Sequence, residues 1–344
     1  MLQESQTKLI VADYPPLKPL RFGPFELTLA NNRHFQTIGP LFLRCPESTR
    51  VPVKHIVPLA DGDRLVIHDD QPRNWITGDR IAIFIHGLCG CHDSPYVKRA
   101  AMKLWRHGIR TVRIDLRGFG DSTLISQGSM HAGCSQDLRD VIDHVHHRLS
   151  PLSKITIVGF SLGANVLLKT LGEWGRSHPN FVDSAIAVSP PIDLLKCSLN
   201  LRRFGNRIYD AYFIRRLSRQ LALRRRKVKN LVDNGVNPIP SRLIHFDDQF
   251  VAPVSGFSGA MDYYEHCSSG PLLQEVDVPT ILVATQDDPV VPFEMFSEYR
   301  MSKSIELVST RHGGHLGFLG ANPRDPDRHW LDWRICDWID RIDD

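Results

Sequence analysis

The chain has 344 residues, 42% of them apolar, enough to bury a large core as one α/β domain or a domain with an insertion. Its net charge of +4 is too mild to point to a partner, and no segment approaches the ~20 apolar residues of a membrane span. Seven cysteines, odd in number and without a framework spacing, exclude a disulfide scaffold and predict reduced thiols in a cytosolic setting.

The first eight residues carry mixed charge with no apolar stretch behind them, unlike a secretory leader. Residues 1–50 are rich in proline and arginine with weak periodicity, and read as an irregular N-terminal arm packing on the core. Two short β-like runs, Val53 to Val57 and Arg64 to His68, then flank Asp61-Gly62-Asp63, a hairpin signal. Ile81-Ala82-Ile83-Phe84-Ile85 is apolar throughout, as a strand buried on both faces must be.

Alternation follows. A helical stretch over 95–108 leads to a strand at 111–115, a helix over 134–149 to a strand at 154–159, and a helix over 162–176 to a strand at 184–188. Late in the chain come a strand at 280–284, a helical segment near 293–301, a strand at 305–308 and a terminal helix from about Trp330. Such alternation predicts a mostly parallel sheet covered by helices on both faces, with ligands outside the carboxyl ends of the strands. Residues 192–275 break the rhythm. They are arginine-rich and helical in periodicity, and read as a helical cap inserted between the core segments 51–191 and 276–344.

Gly159-Phe160-Ser161-Leu162-Gly163 stands between the apolar run 155–158 and the helical stretch that follows. Strand, glycine-flanked serine and helix are the context of a nucleophile elbow, a turn too tight for side chains at the flanking positions. A serine hydroxyl needs a base oriented by a third group, and in this kind of fold the order is Ser, acid, His. Asp287-Asp288-Pro289 follows the strand at 280–284, and His312-Gly313-Gly314-His315 follows that at 305–308. Asp288 is the preferred acid, with Asp287 capping its loop; His315 is the preferred base, because two glycines free its loop. His86-Gly87-Leu88 ends the strand at 81–85, so the amides of Leu88 and Leu162 are the candidate oxyanion hole, and His86 reads as a loop brace.

Other motifs carry less. Cys89-Gly90-Cys91-His92 lacks the second pair of a zinc site, and no metal or cofactor is expected. Arg117 to Ser122 lacks the lysine of a phosphate loop and reads as a tight turn. Between Tyr212 and Leu231 stand eight cations and no acid, interleaved with Phe213, Ile214, Leu217, Leu221 and Leu223. This stretch is either a cap helix with a solvated basic face or a face that meets anionic lipid. No nucleic-acid motif accompanies it.

Taken together, these residues resemble the α/β-hydrolase superfamily, within it the branch of bacterial YheT-type esterases and eukaryotic ABHD1/ABHD3-like lipases. The resemblance runs from about residue 22 to the end. It rests on Asn32-Arg33-His34-Phe35-Gln36-Thr37, His86-Gly87-Leu88 with Ser94-Pro95-Tyr96, Met130-His131-Ala132-Gly133, Phe246-Asp247-Asp248 with Gly256-Phe257 and Asp262-Tyr263-Tyr264, and the run from His312 to Phe318. Ala164, Val251 and Met130 depart from the branch pattern, so the resemblance transfers mechanism better than substrate preference. It implies Ser161 as nucleophile, Asp288 as acid and His315 as base in a carboxylic ester hydrolase, of carboxylesterase or acylglycerol-lipase type, acting on a small or medium acyl ester. The alternatives are a catalytically silent binding protein of the same fold, or a thioesterase, acyltransferase or amidase using the same triad. The expected location is cytosolic, with peripheral membrane contact through the basic cap.

Overall fold

The computed structural model describes residues 9–11, 20–22, 25–27, 32–41, 43, 51–237, 241–320 and 324–343; up to 27 only the backbone is described. Among residues 1–50 the described ones form short regular elements. Strand β1 (Leu9–Val11) precedes a hairpin of β2 (Leu20–Phe22) and β3 (Phe25–Leu27), and Arg33–Ile38 forms helix α1. Asn32 caps α1, its side chain accepting the amides of His34 and Phe35. Six residues are too few to display a helical period, so only the cap could have marked this helix. Cys45 lies outside the described residues; the six other cysteines are free.

The expected hairpin is β4 (Val53–Pro58) and β5 (Arg64–Asp70), antiparallel as the Asp-Gly-Asp turn requires. Then come β6 (Ile81–Ile85), α2 (Pro95–Arg106), β7 (Arg110–Asp115), α3 (Ser135–His144), β8 (Ile155–Phe160), α4 (Leu162–Trp174) and β9 (Val182–Val188). Between β9 and the next strand lie α5 (Leu194–Leu201), α6 (Arg207–Lys227), α7 (Leu243–Phe246), α8 (Ala252–Val254) and α9 (Ala260–Cys267). The chain closes with β10 (Thr280–Thr285), β11 (Ile305–Thr310) and α10 (Trp330–Asp343). The helix expected at 293–301 is only a 3-10 turn, Phe293–Ser297. Its amides bond three residues back, Met295 to the Pro292 carbonyl and Glu298 to that of Met295, the 3-10 pattern that rarely runs past a few residues.

Among the described residues the main sheet has nine strands, in the order β1-β11-β10-β9-β8-β6-β7-β5-β4. All pairs are parallel except those of β5 with β7 and with β4. Alternate residues of β6 enter different cores. Ile81, Ile83 and Ile85 join the one formed with α3 and α4, whereas Ala82 and Phe84 join the one formed with α2 and α10. That two-sided burial explains why the strand is apolar at every position. Connections diverge after β6, toward β7 on one side and β8 on the other. The crevice at the carboxyl ends of β6 and β8 is therefore the topological switch point, where this architecture receives ligands.

Candidate active site

Ser161 sits at that switch point, on the turn between β8 and α4, with φ 51° and ψ −120°. Non-glycine residues hold such a conformation at a cost of about 1–3 kcal/mol, tolerated where surrounding structure enforces it. The enforcement is visible. A Cβ on Gly159 would lie 2.7 Å from Ala164 Cα, and one on Gly163 would lie 2.5 Å from the His86 carbonyl oxygen. Both glycines are therefore obligatory, and the turn lifts the serine above the sheet.

Residues far apart in the chain meet at its hydroxyl. Ser161 Oγ and His315 Nε2 are 2.7 Å apart, and His315 Nδ1 lies 2.8 Å from Asp288 Oδ2. Asp288 Oδ1 accepts the amides of Val290 (2.7 Å) and Val291 (3.0 Å), which fixes the carboxylate plane. All three side chains are less than a tenth exposed. Asp287 faces the other way, accepting the amide of Gly314 at 3.0 Å and meeting His312 Nδ1 at 3.3 Å. It ties down the loop rather than orienting the imidazole.

Leu162 is the first residue of α4, so its amide is one of the four that a helix start leaves without an intrahelical partner. Leu88 follows Gly87 in the loop after β6. His86 braces that loop, with Nδ1 2.7 Å from the Gly87 carbonyl oxygen and Nε2 accepting the Leu116 amide at 3.2 Å. In a trans peptide the N–H points opposite to the C=O, so holding the Gly87 carbonyl on His86 turns the Leu88 amide the other way. Burial pulls the His86 pKa down, consistent with a neutral ring donating from Nδ1 and accepting at Nε2. The Tyr96 hydroxyl accepts the Gly87 amide at 3.0 Å, a contact that joins the two halves of the motif His86-Gly87-Leu88 and Ser94-Pro95-Tyr96.

A solvent-open cavity of about 380 Å³ reaches Ser161 and His315 and is walled by Leu88, Tyr96, Tyr209 and Phe213 among others. A smaller cavity of about 60 Å³ shares Leu88 with it and is lined by Leu162, Met130, Leu217, Phe246, Val251 and Asp247. Asp247 is buried with a hydrogen bond from the Tyr264 hydroxyl at 2.6 Å. Burial pushes its pKa up to about 7, with nearby Asp210 adding to the rise and the Tyr264 bond opposing it. The folded-state value lies above the unfolded one, so its contribution to stability is complete below about pH 4 and fades as pH rises through 7. Asp247→Asn keeps an acceptor for Tyr264 without the charge. Its urea midpoint is expected to exceed the wild type's at pH 8 and to match it near pH 4.

One group among the described residues has metal-ligand spacing: His68, His92, Asp115 and Asp121. The rings stack at 3.4 Å and 14°, and both point at one carboxylate oxygen, with His68 Nε2 2.9 Å and His92 Nδ1 2.7 Å from Asp115 Oδ2. Asp115 already accepts four N–H groups, from His68 Nε2, His92 Nδ1 and the amides of His92 and Asp121. Burial raises its pKa, but the two imidazole hydrogen bonds outweigh that, and the net displacement is well below the usual carboxylate range. The arrangement suits a brace joining the loops after β6 and β7 better than a coordination sphere. Burial also raises the thiols of Cys89, to about 12, and Cys91, so neither is poised as a thiolate ligand.

The basic stretch divides in two. Arg224, though a cation of the expected basic face, is buried and donates to the carbonyls of Thr123, Ser126 and Gly128, and Arg225 pairs with Asp233 at 2.7 Å. Arg215, Arg216 and Arg219 are exposed. Among the described residues no helix is long and apolar enough to cross a membrane.

The chain is 29% identical to YheT of Escherichia coli (strain K12), over 90% of each protein. It is 25% identical to the human phospholipase ABHD3, over 83% of this chain and 72% of that one. A match of 25% to the monoacylglycerol lipase of Saccharomyces cerevisiae spans 79% and 61% respectively. One solved structure of the Pyrococcus furiosus esterase Pf2001 superposes with a TM-score of 0.56 at 16% identity, covering 96% of this chain and 99% of that one. The alpha/beta hydrolase fold family matches residues 83–321, from the middle of β6 past His315. Strand order, elbow and family match agree, and the chain belongs to the alpha/beta hydrolase fold family.

Proposed function

We propose that this protein hydrolyses carboxylic esters through a serine-bound acyl intermediate. The observation that carries the reading is the continuous relay from Ser161 Oγ through His315 to Asp288, at 2.7 and 2.8 Å, beside an open cavity. Its relatives include an esterase by structure and two lipases by sequence. Ser161 attacks the acyl carbon while His315 Nε2 takes its proton, and Asp288 holds the imidazolium that forms. The amides of Leu88 and Leu162 take the developing oxyanion. His315 then passes its proton to the leaving alcohol, and water releases the acyl group by the same route.

This cycle also assigns the two cavities. The alcohol must leave beside His315, which lines the larger one, so the acyl group extends past Leu88 into the smaller. At about 60 Å³ the smaller cavity favours a short acyl chain over a long one. A fluorophosphonate probe is expected to form one adduct, mapped by mass spectrometry to Ser161. An unlabelled serine in folded protein, with no turnover of p-nitrophenyl butyrate, contradicts the reading.

The proposed lipid contact has its own support. Phe204, Ile208 and Tyr212 are exposed along one ridge, and the last two wall the larger cavity. Arg202, Arg203, Arg207, Arg215, Arg216 and Arg219 are exposed around it, with no carboxylate in salt-bridge reach among the described residues. Each such cation near an anionic surface contributes about 1 kcal/mol. Sedimentation with phosphatidylglycerol vesicles is expected to exceed that with phosphatidylcholine alone, and Phe204→Asp with Arg207→Glu to abolish the difference. Binding indifferent to anionic lipid counts against the contact.

A further inference from the structure

Helix α1 touches both the His315 loop and Tyr209 on the cavity wall, although it lies more than a hundred residues before the serine. Four of its polar side chains each have a separate task. Asn32 starts the helix by accepting two of its free amides. Gln36, only 1% exposed, makes a paired contact with one backbone unit 283 residues away: Nε2 donates to the Leu319 carbonyl at 3.0 Å, and Oε1 accepts the Leu319 amide at 2.8 Å. Thr37 Oγ1 accepts the amide of His315 itself at 3.0 Å and donates to the Arg33 carbonyl at 2.7 Å. His34, one turn before Thr37, reaches the cavity wall: its Nδ1 lies 2.8 Å from the Tyr209 hydroxyl on α6, with the two rings stacked at 5.8 Å.

The His315 loop is moulded on this helix. A Cβ at Gly317 would lie 1.7 Å from the Gln36 carbonyl oxygen, and one at Gly314 would lie 2.6 Å from Thr37 Oγ1 and 2.7 Å from the Arg33 carbonyl oxygen. Gly314 also needs its positive φ of 58°. From the sheet side the loop is held by Ser189 Oγ donating to the His315 carbonyl and Thr285 Oγ1 donating to the Gly314 carbonyl, both at 2.7 Å. Those bonds restrain two carbonyls. Gln36 and Thr37 supply the acceptors for the amides of His315 and Leu319.

We infer that α1 is a positioning clip. Gln36 and Thr37 set the backbone that aims the His315 imidazole at Ser161, and His34 fastens the same helix to Tyr209 on the cavity wall. Seating of α6 and alignment of the base are then linked through one short helix. This rests on the hydrolase reading only for its kinetic consequence, because the clip itself is a statement about the loop 312–319. A displacement of 1 Å in a reacting group costs on the order of a hundredfold in rate, so slackening this loop lowers kcat without removing a binding contact.

The test compares Thr37→Val, which keeps shape and loses the acceptor, with Thr37→Ser, which keeps the oxygen, and adds Gln36→Ala. With p-nitrophenyl butyrate, Thr37→Val and Gln36→Ala are expected to lose tenfold to a hundredfold in kcat with KM within twofold. Fluorophosphonate labelling of Ser161 should slow in proportion, and Thr37→Ser should recover the wild-type rate. Amide exchange over residues 312–319 should accelerate in the two impaired variants while β8 and β10 stay protected. Folded Thr37→Val and Gln36→Ala proteins with wild-type kcat and unchanged exchange in that loop overturn the clip. If the wild type itself takes no label, the hydrolase reading falls and the exchange experiment alone decides the clip. Should Gln36→Ala fail to fold, the isosteric pair at Thr37 carries the test.

Discussion

Replacing Ser161 by alanine is expected to lower ester turnover by about a millionfold, the scale seen when the nucleophile of a serine hydrolase is removed. The substitution deletes one oxygen and nothing else. Cβ stays, so the backbone at φ 51° remains as constrained as before, and the amides of Leu88 and Leu162 keep their places. Because these amides survive, turnover should settle above the uncatalysed rate rather than at it. Stability offers an independent reading of the same residue. A glycine at 161 relieves a conformation that costs about 1–3 kcal/mol in other residues, so Ser161→Gly should be both inactive and more resistant to urea than wild type. An alanine variant that retains substantial turnover in protein free of wild type removes Ser161 as nucleophile.

What the sequence made legible was local. Ile81 to Ile85 could be recognised as a central strand because burial on both faces leaves no position for a polar side chain. The elbow was legible because steric exclusion at Gly159 and Gly163 is a property of five consecutive residues. Helix α1 was not legible as a support for the site, because its meaning lies in partners at 209, 315 and 319. The motif Asn32 to Thr37 stood out only through resemblance, and its chemistry appeared when the fold brought the partners together. Arg224 misled in the same manner. Within a run of arginines it looked like part of a solvated face, yet three loop carbonyls take its protons and desolvation lowers its pKa to about 10. Composition counts charges but does not say which of them the loops enclose.

Asp288→Asn should cost about ten-thousandfold in kcat with little change in structure, and the cause is the direction of one proton. Asp288 Oδ1 accepts the amides of Val290 and Val291, a position only an oxygen can fill. The asparagine carbonyl must therefore point there, which leaves its NH₂ facing His315 Nδ1, where Oδ2 stood at 2.8 Å. Two donors cannot face each other, so Nδ1 becomes the acceptor and the ring proton moves to Nε2. That nitrogen then donates to Ser161 Oγ, 2.7 Å away, when the reaction needs it to accept. Asp287→Asn is the control. Its oxygen can still accept the Gly314 amide and it does not touch the imidazole, so kcat should change by less than about tenfold. Equal losses at 287 and 288 would mean that the loop, and not the tautomer of His315, limits the rate.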